Sequence, residues 1–243
     1  MPSHTPDFRL DGYKAVNPHV DKAFWQHIAI NRNDLTRLAE HHSDDGRHSH
    51  YVLHDRTVTW GIPGEPQLIA LHLQRTAESR TFRFQHTTLP LPAMAQSWLI
   101  ARGCPADAIR LPDDMGTASA DDTTRALEER LTRGGDDFAL LTSYTDDTST
   151  KPTTTVLLRA LDEGETLPFR VLREVSDTDA WTHTLREGAF PSFEEATAWW
   201  EGHWSGEAVP LPAPAHPAHP ARRTSVPGLP PRPPVVPGPG RAR

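Results

Sequence analysis

Cysteine and lysine are nearly absent from this sequence of 243 residues. The single cysteine, Cys104, excludes an intramolecular disulfide and disfavours a disulfide-stabilised secreted scaffold. The only lysines are Lys14, Lys22 and Lys151, which disfavours lysine-based catalysis. Arginine far outnumbers lysine, and Ala, Pro, Asp and Thr are abundant, a composition typical of a high-GC bacterial genome.

The chain also lacks the common signatures of enzymes and cofactor sites. It has no Gly-x-Gly-x-x-Gly, no phosphate-binding loop, no His-Glu-x-x-His, no Cys-x-x-Cys and no Gly-x-Ser-x-Gly. It has no run near the roughly 18 apolar residues of a membrane span, and no charged-then-apolar start typical of a signal peptide. We therefore expect a soluble cytoplasmic protein without membrane association.

The charge is distributed unevenly. The formal net charge is −7, but the segment 207–243 carries one acid and five arginines, so the rest of the chain is strongly acidic. An acidic body repels phosphate backbones, so nucleic-acid binding is disfavoured for everything except the tail.

The hydrophobic pattern predicts an α+β fold. We expect a helical N-terminal region, then two β-rich units that are each closed by a helix, and a disordered proline-rich tail. The predicted boundaries are 1–50 for the N-terminal helical segment with a His/Asp-rich loop, 51–134 and 135–206 for the two units, and 207–243 for the tail.

Individual elements follow from caps and periodicity. Asn17-Pro18 is typical of a helix start, and Ser192 with Glu195 forms a capping box. Ser119 with Asp122 predicts another helix start, and Leu35, Leu38 and Ala39 predict a short helix over 34–42. A further helix is predicted over 92–102, and strands are predicted over 57–60, 68–73, 81–84, 138–144, 153–161 and 168–175.

The two β-rich units resemble each other. Each is predicted to contain three strands followed by a helix, and Thr-Phe-Arg-Phe in the first unit is similar to Pro-Phe-Arg-Val in the second. A duplicated βββα unit would explain this. Chance similarity between short strands is the alternative.

The richest cluster of metal-ligand residue types runs from His41 to His50. Imidazole and carboxylate groups suit zinc, iron or manganese, and two residues on one strand face, His48 and His50, could reach the same ion. The candidate ligands are His41, His42, Asp44, Asp45, His48 and His50. A solvated turn after a helix explains the same residues, and we favour that interpretation over a divalent metal site.

The tail contains a protein-interaction pattern. Pro227, Pro230 and Arg232 form a Pro-x-x-Pro-x-Arg sequence that resembles the ligands of SH3-like domains. Trp199, which falls off the predicted core stripe Phe193, Ala196, Trp200 and Trp204, could give the start of the tail an aromatic surface. A plain spacer is the alternative.

These observations lead to three functional hypotheses. The first is a non-catalytic binding or regulatory protein with a protein partner. The second is a metal-dependent hydrolase in which the His41–His50 cluster activates water. The third is a nucleic-acid accessory protein that acts through the arginines of the tail.

Overall fold

The computed structural model describes residues 4–58, 64–134, 137–148, 150–204 and 210–212. Within them the chain is mixed α+β, with two five-stranded sheets and helices on both faces of each sheet. No helix in these ranges combines the length and apolar character needed to cross a membrane.

The first sheet has the strand order β1-β5-β4-β3-β2. Strands β2 to β5 form an antiparallel meander, and the short β1 pairs in parallel with β5. The strands are β1 (Lys14–Ala15), β2 (Leu35–His42), β3 (His48–Asp55), β4 (Leu68–Thr76) and β5 (Thr81–Leu89). Strand β2 therefore lies at one edge.

The second sheet has the corresponding order β6-β10-β9-β8-β7. Again a four-stranded antiparallel meander is joined by a short parallel strand, with β6 beside β10. The strands are β6 (Ala118–Ser119), β7 (Phe138–Asp146), β8 (Thr153–Ala160), β9 (Phe169–Asp177) and β10 (Thr182–Phe190).

Three of the four helices in the described ranges start at a residue whose side chain accepts a hydrogen bond from an N–H of the first turn, and the fourth, at Pro92, has no such cap. The helices are α1 (Pro18–Phe24, continued by π-helical Trp25–Ala29), α2 (Pro92–Ile100), α3 (Asp122–Gly134) and α4 (Phe193–Trp204). Asn17 accepts a hydrogen bond from Val20 N at 2.9 Å, and Ser192 accepts one from Glu195 N at 3.2 Å. The caps predicted at Asn17 and Ser192 are confirmed.

The helices and sheets form alternating layers around a continuous core. Helix α1 covers one face of the first sheet, where Phe24 and Ile28 pack with Tyr51 and Leu71. Helix α2 covers its other face, helix α3 covers the second sheet, and the two helices contact each other. The side chains of α2, α3 and both sheets form a single buried cluster. Helix α4 covers the outer face of the second sheet.

The two units repeat the same order of elements: a short strand, a helix, a four-stranded meander and a second helix. The turns before β5 and β10 also match, because Arg80 and Trp181 both have a positive φ, 48° and 54°, one residue before the strand begins. A positive φ is uncommon for residues other than glycine.

The structure corrects several sequence predictions. The helix predicted over 34–42 is strand β2, and the predicted His/Asp-rich loop is confined to the turn 43–47, because β3 starts at His48. Each meander has four strands rather than three, since β2, β3 and β10 were not predicted as strands.

Two further local predictions are wrong. Thr57 and Val58 are helical rather than extended, with Asp55 Oδ1 accepting from Thr57 N at 2.9 Å, while Thr59 and Trp60 lie outside the described residues. Ser119 lies in β6, and the residue that caps α3 is Asp121, which accepts from Thr124 N at 2.8 Å.

Candidate functional site

A row of histidines crosses the first sheet on the face covered by α2. His48 and His50 point to the same side of β3 because side chains alternate along a strand. The strand register places His41 of β2 and His72 of β4 directly beside His50. The pairing of His48 with His50 was predicted from the sequence, whereas His72 was not.

The four imidazole rings lie nearly parallel to one another. The His50 and His72 ring centroids are 4.4 Å apart with an interplanar angle of 11°. His48 Nδ1 lies 3.0 Å from His72 Nε2, a hydrogen-bond distance, and the His41 and His50 centroids are 6.1 Å apart. We call His41, His48, His50 and His72 the histidine cluster.

The inner two members of the histidine cluster are removed from water. His50 and His72 are each 2% exposed, and burial lowers the pKa of both to about 4. Both rings are therefore neutral near pH 7. Neither nitrogen of His50, nor Nδ1 of His72, makes a hydrogen bond of normal geometry within the described residues, although the main chain of Arg102 lies close enough to His50 to raise its pKa in part.

The other predicted metal ligands lie elsewhere. His42 is on the opposite face of the sheet, where its Nδ1 is 2.7 Å from Ser49 Oγ. Asp45 closes the β2–β3 turn by accepting from Ser43 Oγ and Arg47 N, and Asp44 occupies the same exposed turn. In the described ranges no three His, Cys, Asp or Glu side chains already converge so that they could hold a metal ion.

A groove of about 400 Å³ runs beside the edge strand β2. One wall is formed by His4 and the β2 residues Arg37, Leu38, Ala39 and Glu40, and the opposite wall by Ala108, Arg110, Pro112, Asp114 and Met115. The opposite wall comes from the segment after α2, whose Ile109 is anchored in the shared core. The groove therefore has a fixed wall facing a strand edge.

The main chain of β2 directs hydrogen-bonding groups to this side. Strand β3 bonds to β2 through its even-numbered residues, as Ser43 N to His48 O at 3.0 Å shows. The intervening residues Glu40 and His42 therefore direct their N–H and C=O groups away from the sheet. At the next outward position Arg37 N donates to His4 O at 2.7 Å, so the N-terminal segment already occupies one end of this edge.

A second buried group, His183 of β10, holds α3 against the second sheet. Its Nε2 lies 2.9 Å from Glu128 Oε1, and its Nδ1 lies 3.1 Å from the carbonyl oxygen of Thr117 and 3.0 Å from the Thr117 hydroxyl. The carboxylate and the carbonyl both accept hydrogen bonds, so the protonated ring can donate to each of them. Burial lowers the pKa of His183, but the Glu128 hydrogen bond and the charge of Glu174 raise it by more, and the net shift is upward.

This geometry predicts a pH-dependent contribution to stability. Because the folded pKa of His183 lies above the unfolded value of about 6.5, its stabilisation is complete below pH 6.5 and is lost as pH rises through the folded pKa. Urea unfolding over a pH series should show the largest difference in stability between the parent protein and His183→Gln at the acidic end of that window. The difference should become smaller as the pH rises. The exposed His19→Gln control should parallel the parent protein at every pH, and a constant difference for His183→Gln would refute the assignment.

The remaining candidates fall in the core or outside the described ranges. Cys104 is buried, and burial raises the pKa of its thiol to about 12, so it is not a reactive thiolate. Trp199 was predicted to lie off the core stripe, but it is 6% exposed and packs on the second sheet. Its Nε1 donates to Pro210 O at 3.3 Å. Pro227, Pro230 and Arg232 lie outside the described residues.

Comparisons with known proteins add no functional information. No protein-family model matches the chain, and neither curated proteins nor solved structures show significant similarity to it.

Proposed function

We propose that this protein is a non-catalytic binding protein that holds an extended peptide segment of a protein partner along strand β2. The observation that carries the proposal is the outward-directed main chain of Glu40 and His42 beside the groove. An extended peptide can add a strand to such an edge, with main-chain hydrogen bonds for affinity and side-chain pockets for specificity.

Three features support this edge as the binding site. The bond from Arg37 N to His4 O is a main-chain contact of the kind a bound peptide would continue. The groove carries both signs of charge, with Arg37 paired to Glu40 at 2.5 Å and Arg110 to Asp107 at 3.2 Å. The corresponding edge strand of the second sheet, β7, is already bonded to another part of the chain, because Thr145 N donates to Gly64 O at 3.1 Å.

We further propose that the two units arose by duplication and then diverged. The matching element order, strand order and positive-φ turns support this. A cytoplasmic location suits the lone buried Cys104, and the basic tail with Pro227, Pro230 and Arg232 would add a second contact to the partner.

The test is selection from a random-peptide display library followed by calorimetry with the selected peptide. Ala108→Trp should abolish binding, because the indole would fill the groove, whereas Ala106→Trp on the exposed side of the same segment should not affect it. If no peptide is enriched, or if Ala108→Trp binds normally, the proposal is wrong.

A proline substitution isolates the main-chain contribution. Glu40→Pro removes an outward N–H that the ladder with β3 does not use, and edge strands accept proline at such positions. We expect peptide affinity to fall by about three- to tenfold, the value of one hydrogen bond, while Glu40→Gln retains affinity. Equal losses in both variants would indicate recognition by the side chain instead.

A further inference from the structure

The histidine cluster presents a physical problem that the peptide groove does not explain. His50 and His72 are each 2% exposed, and three of their four ring nitrogens make no hydrogen bond of normal geometry within the described residues; His50 has only an interaction with the main chain of Arg102 that falls short of that geometry. Burying such groups without hydrogen bonds is costly, and buried polar groups in proteins are normally satisfied. A ligand that bonds to these buried nitrogens would remove this cost.

The fold itself does not require histidine at these positions. His72 is the fifth residue of β4, and the fifth residue of β9 is Arg173, which donates to His203 Nε2 at 3.1 Å. The residue paired with Arg173 is Thr155, where the first unit has His50. The second unit builds the same sheet with non-histidine side chains at these two sites, and the arginine is hydrogen-bonded.

We propose that His48, His50 and His72 bind a divalent transition-metal ion of the zinc class, with His41 as the fourth ligand. Imidazole suits zinc, copper and nickel, and no carboxylate belongs to the cluster, which disfavours calcium and magnesium. This site is independent of the peptide groove. The ion would brace the edge strand β2, through His41, against β3 and β4.

One pair of ring nitrogens is spaced much as two ligands of a metal ion would be. His48 Nδ1 and His72 Nε2 are 3.0 Å apart, whereas two nitrogens on a tetrahedral zinc ion lie about 3.3 Å apart at bond lengths of about 2.0–2.1 Å. The stacked rings must rotate to direct three nitrogens at one point, and the Cβ–Cγ torsion of histidine is broad. His41 and His48 are half-buried and provide the entry path.

Two features bear on the affinity of the site and on the role of the ion. The charge of Arg102, which stacks on Trp98 at 3.5 Å and donates to Gln85, lies close enough to lower the pKa of His72 and should weaken cation binding. His50 and His72 are buried from solvent, which favours a structural ion over a catalytic one.

Calorimetric titration of Zn²⁺ into the metal-free full chain tests the proposal. We expect one saturable Zn²⁺ site per chain. The affinity of His48→Ala and of His72→Gln for Zn²⁺ should be lower than that of the parent protein by about 100-fold or more, because each substitution removes a ligand. His42→Ala, on the opposite face of the same sheet, is the matched control and should bind normally. All proteins should carry His216→Ala and His219→Ala, which remove histidines of the tail.

Cobalt substitution separates ligation from a structural effect of the mutations. Co²⁺ bound by the parent protein should give the visible absorption of a four-coordinate ion. Because His48 is half-buried, we expect the His48→Ala variant to fold, and this variant should lack the absorption band. Absence of saturable Zn²⁺ binding in the parent protein, or unchanged binding in His48→Ala, would overturn the proposal.

Discussion

Replacing Leu131 of α3 with alanine should lower the free energy of unfolding of the whole chain by about 2–5 kcal/mol. Leu131 is 3% exposed and belongs to the buried cluster that joins α2, α3 and both sheets. The substitution leaves a cavity inside this cluster, and packed surroundings relax only partly into such a cavity.

The measurement is urea unfolding followed by tryptophan fluorescence and by far-ultraviolet circular dichroism. Because the core is continuous, both signals should shift together and remain a single transition. Leu161→Ala, at a position 59% exposed, is the control and should change stability by less than about 0.5 kcal/mol. Two separate transitions, with only one of them affected, would show that the units fold independently.

The sequence predicted the α+β class because many elements follow from local chemistry. The caps at Asn17 and Ser192 and the strands that became β4, β5, β7, β8 and β9 are determined by residues close to one another in the chain. Strand β2 was mistaken for a helix for a physical reason. A β-bulge between Arg37 and Ala39 interrupts its alternation, so Leu35, Leu38 and Ala39 acquire the spacing of a helical face.

The histidine cluster shows the limit of local reasoning. Alternation along β3 was sufficient to pair His48 with His50, but His72 lies 24 residues beyond His48 and joins only through the β3–β4 register. A lone histidine among apolar residues of a predicted strand was the available signal. The buried face of α4 was also predicted wrongly. Trp199 was assigned to the solvent side, but Pro210 and Leu211 pack beside it and bury it. Phe193, which was assigned to the core, is 52% exposed.

Replacing Glu187 of β10 with glutamine should destabilise the protein by about 3–5 kcal/mol, as expected when one partner of a buried ion pair is removed. Glu187 and Arg170 of β9 are both 8% exposed at their side chains and lie 3.4 Å apart, and Glu187 also pairs with Arg130 of α3. Without Glu187, the partners left to the buried Arg170 among the described residues are the more exposed Glu165, at 3.5 Å, and the carbonyl oxygen of Leu167.

Two comparisons distinguish an uncompensated buried charge from a lost attraction. Glu165→Gln, at a side chain 32% exposed, should cost no more than about 1 kcal/mol in urea unfolding at neutral pH. The double variant Glu187→Leu with Arg170→Met should recover much of the loss, because replacing a buried ion pair by apolar groups of similar volume is often nearly neutral. If the double variant is instead less stable than Glu187→Gln, the attraction between the charges stabilises the sheet more than their desolvation opposes it. The network that joins α3 to β9 and β10 would then be a net source of stability.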